Sequence, residues 1–300
     1  MLPSQEQTRT FRCLVGFISA PGTPAARAVA PTLWKYYKDN KIAVTKIWTG
    51  TMSLRASVSD RALELPPPYS LVTLREAGDA FAHARAIAAD EGAGTLVWVR
   101  RYDLAEFAVV LEPEEPLAEA RRAIYAGMNA IADALSVHAP PSRPVNFDWP
   151  DAIRVDGVLV GGGRLGWPEE TREDEIPDWL VISGMIRTAA IRASEPGLRP
   201  LLGALDELGF EAVDAGQIIA SFSHHLMAVF HDWSETGFRS IASRWLDRLP
   251  PQSDQHTQLA DNGDLLISQN ASHGRAERKS LAVALATPSW LDPITGTPWL

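Results

Sequence analysis

The chain has 300 residues, 46% hydrophobic and 22% charged, the composition of a soluble globular protein with one large domain or two moderate ones. A net charge of −9 argues against nucleic-acid binding over the whole surface. The longest apolar runs, 96–99 and 107–111, are too short for a membrane span. The single cysteine, Cys13, leaves no disulfide framework and no cysteine zinc site, so a reducing, cytoplasmic setting is expected.

Charge is unevenly spread. Residues 1–50 carry four Lys and three Arg against Glu6 and Asp39, a net +5, so the rest carries −14. After Lys46 the next lysine is Lys279, and every long cation between them is an arginine. The shift marks a boundary near 50–65. Residues 1–64 read as a poorly ordered or non-native extension, with Met52 a sensible initiator. A short signal peptide over the apolar run 11–20 and a basic helical module are weaker alternatives.

After the stiff spacer Pro66-Pro67-Pro68, residues 69–75 read as a strand and 79–90 as a helix. Strands at 95–101 and 106–111 flank the link 101–105. A long amphipathic helix is expected over 117–138, with Ala120, Ile124, Met128, Ile131 and Leu135 on one face. Next comes a hairpin. Ile153 and Val155 precede Asp156-Gly157, and Val158 and Val160 follow it. Asp-Gly suits a turn whose central residues both need positive φ. Trp149-Pro150 leads into the first arm, and Gly161, Gly162 and Gly163 end the second. A triple glycine in a strand pattern suggests close approach by a ligand or another backbone.

An acidic loop at 166–177 leads to an apolar strand at 179–186. Helices are expected at 201–208, from the cap Asp214 to about Trp233, and at 235–248. The tail reads as short strands at 264–268, after the Asn262-Gly263 turn, and at 280–286.

Five blocks in this order resemble the biotin/lipoate A/B protein ligase superfamily over roughly 65–280. Asp148-Trp149-Pro150-Asp151-Ala152 stands where biotin ligases carry Lys-Trp-Pro-Asn-Asp. The hairpin and its glycines stand at that family's Gly-Gly-Ile. Val181-Ile182-Ser183-Gly184-Met185-Ile186-Arg187 is similar to its Val-Ile-Gly-x-Gly-Ile-Asn strand. Gly237-Phe238 through Ser243-Arg244-Trp245-Leu246 resembles the helix before its C-terminal domain. Asp261-Asn262-Gly263-Asp264 resembles the first hairpin of that domain. The resemblance implies an α+β fold, a mixed β-sheet flanked by helices as in class II synthetases and biotin ligases, at 65–250. A small β-rich C-terminal domain would occupy 251–300.

The resemblance also implies chemistry. A carboxylic acid such as biotin, lipoate or a fatty acid would attack the α-phosphate of ATP, with Mg²⁺ as a candidate companion of the nucleotide, and the acyl-adenylate would pass to a carrier-domain lysine of an acceptor protein. Two anions must then be brought together, so cations and N–H donors must offset their repulsion. Arg101, Arg164 and Arg187 are the candidate clamps, Asp148 and Asp151 the acids beside the reaction. Trp149, Pro150, Gly161, Gly162, Gly163, Ser183 and Gly184 are the expected ligand lining. The plain alternatives are structural pairing of the arginines with nearby acids, and capping or metal binding by the aspartates.

The departures are as informative. The Gly-Arg-Gly-Arg-x-x-Arg loop is reduced to Arg100-Arg101-Tyr102-Asp103-Leu104. The lysine of Lys-Trp-Pro-Asn-Asp is Asp148, a second superfamily lysine corresponds to Leu159, and the later Asn is Arg187. Arginine supplies charge with a different geometry from an ammonium. The alternative function is therefore a non-catalytic acyl-ligand binder on the ligase scaffold.

Overall fold

The structure is a computed structural model that describes residues 63–190, 201–210, 213–250, 255–269 and 277–299. The N-terminal expectations lie outside the described residues.

The strands β1 (Ser70–Leu74), β2 (Thr95–Arg100), β3 (Leu104–Leu111), β4 (Val145–Asp148), β5 (Ala152–Val155), β6 (Val158–Gly166) and β7 (Leu180–Arg187) form a 7-stranded sheet of order β1-β2-β3-β7-β6-β5-β4. Only β1 and β2 run parallel. Their crossover is α1 (Ala80–Glu91), capped by Asp79, whose carboxylate accepts the Ala82 N–H at 2.9 Å. Parallel pairing demands such a crossover.

α1 packs Phe81, Ala84 and Ala88 on one face of the sheet, against Val97, Val99, Ala108, Val110 and Val181. The other face carries α3 (Ala123–His138), α4 (Ala215–Thr236) and α5 (Phe238–Leu246). The main core lies there, with Phe107, Phe147, Ile182, Phe222 and Trp245 buried together. Asp214 begins α4 with a reciprocal cap: it accepts the Gln217 N–H at 2.9 Å, and the Gln217 side chain accepts the Asp214 N–H at 3.1 Å.

The hairpin forms as expected. Asp156 and Gly157 have φ of 50° and 80°, and they join β5 to β6. The glycines do not end the second arm, because β6 runs on through them to Gly166.

Three expectations need correction. The helix over 117–138 is two, α2 (Leu117–Ala120) and α3, interrupted at Arg121 and Arg122. Around the break, amides reach only three residues back, as from Ile124 to Arg121 O and from Tyr125 to Arg122 O. Arg122 also donates to Glu119 O at 2.8 Å and to Glu115 at 2.7 Å. At 201–208 only Asp206–Leu208 makes a turn of 3₁₀ helix, while Leu202 bridges to Leu159 alongside β6. At 280–286 the chain is the helix α6 (Leu281–Leu285), not a strand. Leu281 and Leu285 are both buried one helical turn apart, and the Leu281 N–H donates to Asp264 at 2.8 Å. The burial period is four, which alternation by two cannot give.

A second, antiparallel sheet follows, from β8 (Gln255–Leu259), β9 (Leu265–Gln269) and β10 (Glu277–Lys279), in the order β10-β9-β8. The β8–β9 turn is fixed to the start of α3, where Arg122 donates to Asp261 O at 2.9 Å and the Tyr125 hydroxyl donates to Gly263 O. The expected architecture, a mixed sheet between helices followed by a small β unit, is the one observed. Among the described residues no helix is long and apolar enough to cross a membrane.

Candidate functional site

Side chains alternate across a strand, so the pairing register decides which residues share a face. Glu106 lies opposite Met185, Met185 opposite Gly162, Gly162 opposite Ala152, and Ala152 opposite Asp148. This row crosses the face that α1 covers. One step along, Ala108, Ser183 and Arg164 form the next row. In the other direction Leu104 pairs with Arg187.

α1 covers one part of this face. The chain beyond α6 covers another. Trp290, 1% exposed, packs with Leu104, Ala152, Leu159 and Met185, and its indole N–H donates to Gly163 O at 3.2 Å. A Cβ at Gly162 would collide with this indole and with Asp151 O. The Arg187 guanidinium donates to Pro298 O at 2.7 Å.

Between these two covers the polar residues converge. Glu106 is 3% exposed and accepts the N–H of Ala80, the first residue of α1, at 2.9 Å. Burial, against the pull of that N–H, leaves its pKa raised. The Arg164 guanidinium carbon lies over the Phe81 ring, 3.9 Å from the centroid. Its guanidinium has no hydrogen bond or ion pair among the described residues. Burial lowers its pKa, while Asp79, Glu106 and Asp151 pull the other way. The neighbouring Ser183 is buried, and its hydroxyl likewise makes no hydrogen bond among the described residues.

Asp151 is 1% exposed, and neither carboxylate oxygen has a hydrogen-bond partner among the described residues. Burial pushes its pKa up to about 7, although the nearby Trp290 N–H and the Arg164 charge offset part of the rise. A carboxyl in this state holds a proton near neutrality.

The other candidates have structural partners. Arg101 is held at two points by Asp103, at 3.1 and 3.0 Å, with Glu106 at 3.9 Å. Asp148 accepts from Arg154 at 2.7 Å. Trp149 is joined to Pro150 by a cis peptide and turns toward the helix layer, donating to the Tyr125 hydroxyl at 2.9 Å. Gly163 faces Met128 and Ile124 of α3, and Gly184 faces Phe107 and Ile131. Gly161 lies against the Met185 carbonyl. The structure thus gathers Arg164, Ser183, Gly162 and Asp151 on one face, with Arg101 and Arg187 at its margin. Trp149, Gly163 and Gly184 belong to the opposite, helix-packed side.

Sequence reasoning missed Glu106. Its signal was there, as the one charged residue in the otherwise apolar β3. The position of Trp290 over Gly162 escaped it too. No local pattern ties residue 290 to Gly162.

A hollow of about 380 Å³ lies away from these residues, between β4, α5 and the small sheet, lined by Phe147, Asp148, Trp149, Leu249, Ile267 and Lys279. Among the described residues no group of three or more His, Cys, Asp or Glu gathers to hold a metal ion.

The residues of the α1 face fit a small carboxylic acid, for which Arg164 and Ser183 are unengaged partners. They fit a polyphosphate less well, because Arg101 and Arg187 already have theirs.

The chain belongs to the biotin/lipoate A/B protein ligase family, whose profile matches residues 65–247, more than half of its length. Among solved structures it is similar to a biotin protein ligase-like protein of unknown function from Silicibacter sp. TM1040, with a TM-score of 0.63 and 24% identity, over 74% of this chain and 98% of that one. It is also similar to the biotin protein ligase of Aquifex aeolicus, with a TM-score of 0.56 and 13% identity, over 70% of this chain and 95% of that one. The same enzyme in complex with biotin and ATP gives a TM-score of 0.51 and 13% identity, over 70% and 99% of the two chains. At these identities the likeness is one of fold. A comparison with curated protein sequences finds no match.

Proposed function

We propose that the chain binds a small carboxylic acid of the biotin or lipoate class on the α1 face of its large sheet, with Arg164 as the carboxylate partner. One observation carries this reading. Arg164 is a half-buried guanidinium, stacked on Phe81 and flanked by the buried Ser183, with no bonded partner among the described residues. A guanidinium matches a carboxylate at two points, and the low-dielectric setting strengthens the pair. Gly162, Met185 and Leu104 supply the apolar flank.

Membership of a ligase family supports a further step, in which the acid is activated and passed on. A carboxylate oxygen would attack the α-phosphorus of ATP, pyrophosphate would leave, and a lysine amine of an acceptor protein would displace AMP. Biotin and ATP are bound by a ligase of the same fold. Mg²⁺ would accompany the nucleotide. Pyrophosphate exchange with biotin, lipoate and octanoate tests this step, and a folded protein inactive with all three is not a ligase for them.

The second reading is acid binding without activation. It is favoured by Asp148, held by Arg154 where the family's lysine is expected, and by Arg101, neutralised by Asp103. Calorimetry separates the two, because a pure binder takes up its acid with no dependence on ATP. A cytoplasmic setting belongs to the same proposal and rests on the single Cys13.

A further inference from the structure

The segment after α6 is built as a unit of its own. Leu291 bridges to Pro298, the Asp292 N–H donates to Thr297 O at 2.9 Å, and Gly296 closes the turn with φ of 66°. The Asp292 carboxylate accepts from the Ile294 N–H at 2.9 Å and the Thr295 hydroxyl at 3.0 Å. Trp299 closes back on the start of the unit, its backbone N–H donating to Trp290 O and its indole to Ser289 O, both at 3.1 Å. Ile294 at the tip is 92% exposed.

Its attachment to the large sheet is narrow. Two hydrogen bonds join it to the strands among the described residues, Trp290 to Gly163 O and Arg187 to Pro298 O. The rest of the seat is apolar contact of the Trp290 indole and of Leu291 with the cluster around Leu104 and Met185. Under this seat lie both oxygens of Asp151 and the Nε of Arg187, buried without hydrogen-bond partners. Withholding ionisable groups from water without partners is unfavourable, so the seated position works against itself. Lifting the unit would return these groups to solvent and leave its own internal bonds intact.

We propose that residues 290–299 are a displaceable plug, with Trp290 standing on Gly162 in the space where the acid ligand enters, so that seating of the plug and binding of the acid exclude one another. The plug follows from the geometry. The identity of its competitor rests on the acid-binding reading above. Tethering keeps the indole at high local concentration, and a protein mostly in the seated state shows an apparent affinity reduced by the fraction that is open.

Two measurements on the full chain decide this. In hydrogen exchange without ligand, the Asp292 and Trp299 amides should exchange at least about 100-fold faster than the amides of β6 and β7, which open only with the whole domain. Equal protection of tail and sheet would overturn the plug, making the tail a fixed wall. In calorimetry with biotin, lipoate and octanoate, Trp290→Gly should bind its preferred acid at least about tenfold more tightly than wild type. Equal or weaker binding by a folded variant overturns the proposal. Should that variant fail to fold, wild-type tail exchange with saturating acid decides: faster exchange supports the plug, and unchanged or slower exchange overturns it. If none of the three acids binds either protein, the acid-binding reading fails for them, and the ligand-free exchange alone decides the plug.

Discussion

Asp103 grips Arg101 at two points, 3.1 and 3.0 Å apart, two residues along the chain where β3 begins. The pair closes the short link that stands in place of a long glycine-arginine loop. Asp103 is buried and its main-chain oxygen also receives the Thr188 N–H at 2.9 Å, so the link is fastened to the end of β7. Asp103→Ala should destabilise the fold by about 1–3 kcal/mol, because it leaves Arg101 half-buried with Glu106 and Glu76 nearby but no hydrogen-bonded carboxylate. Urea denaturation of the two proteins measures this.

Arg164→Gln should act on binding and much less on folding. The guanidinium makes no hydrogen bond or ion pair among the described residues, so the folded state loses chiefly its stacking on Phe81, about 0.5–1 kcal/mol. A lost charge-assisted pair with a carboxylate is worth about 1.5–3 kcal/mol, a weakening of roughly 10- to 100-fold. Arg164→Lys should recover only part of it, since an ammonium cannot reproduce the fork. Calorimetric titration with the preferred acid is the measurement.

The pH dependence has a definite sign. Asp151 rises from 3.8 to about 7 on folding, so between those values the native state holds a proton that the unfolded chain has released. Its stabilising contribution is complete below the unfolded value and declines as pH rises toward 7, then stays constant. The groups around it are Arg164 on β6, the Tyr125 phenol on α3 and the uncharged Trp290 indole. Asp151→Asn should remove this decline and stabilise the protein above pH 7 by an amount on the order of a few kcal/mol. Glu106 is shifted in the same direction, and Asp264 in the opposite one. The difference between the wild-type and Asp151→Asn profiles, taken by denaturation from pH 4 to 9, therefore isolates residue 151.

Gly162→Ala should be destabilising by about 1–3 kcal/mol, as a methyl there meets both the Trp290 indole and Asp151 O. Combined with Trp290→Gly the cost should shrink, because one of the two obstacles is gone. The remaining carbonyl contact should keep the recovery incomplete. A thermal-melting double-mutant cycle reads the coupling.

Much of the frame was legible because its signals are local. Asp156-Gly157 between β-branched arms specifies a tight turn, and Asp214 followed by Gln217 specifies a helix start. The order of short blocks pointed to the family. What escaped depends on contacts between distant segments. The break at Arg121 and Arg122 is accompanied by partners at Glu173 and Asp261, which no helical periodicity reveals. The strand expected at 280–286 is helical where Asp264 receives the Leu281 N–H. The candidate site was half legible. Arg164, Ser183, Gly162 and Asp151 are brought to one face. The partners that occupy Arg101 and Arg187 were not readable, nor was the indole over Gly162, 128 positions later in the chain.

The Tyr125 hydroxyl accepts from the Trp149 indole and donates to Gly263 O, so one phenolic oxygen rivets three bodies: the outer strands of the large sheet, the start of α3 and the tip of the β8–β9 turn. Its burial holds the phenol in its neutral, donating form. The gap in which Lys279 faces Asp148 and Trp149 therefore has its two walls tied to each other through that oxygen. Removing that oxygen would orphan an N–H and a carbonyl together, leaving Arg122 to Asp261 O as the hydrogen bond that still ties the turn to the start of α3.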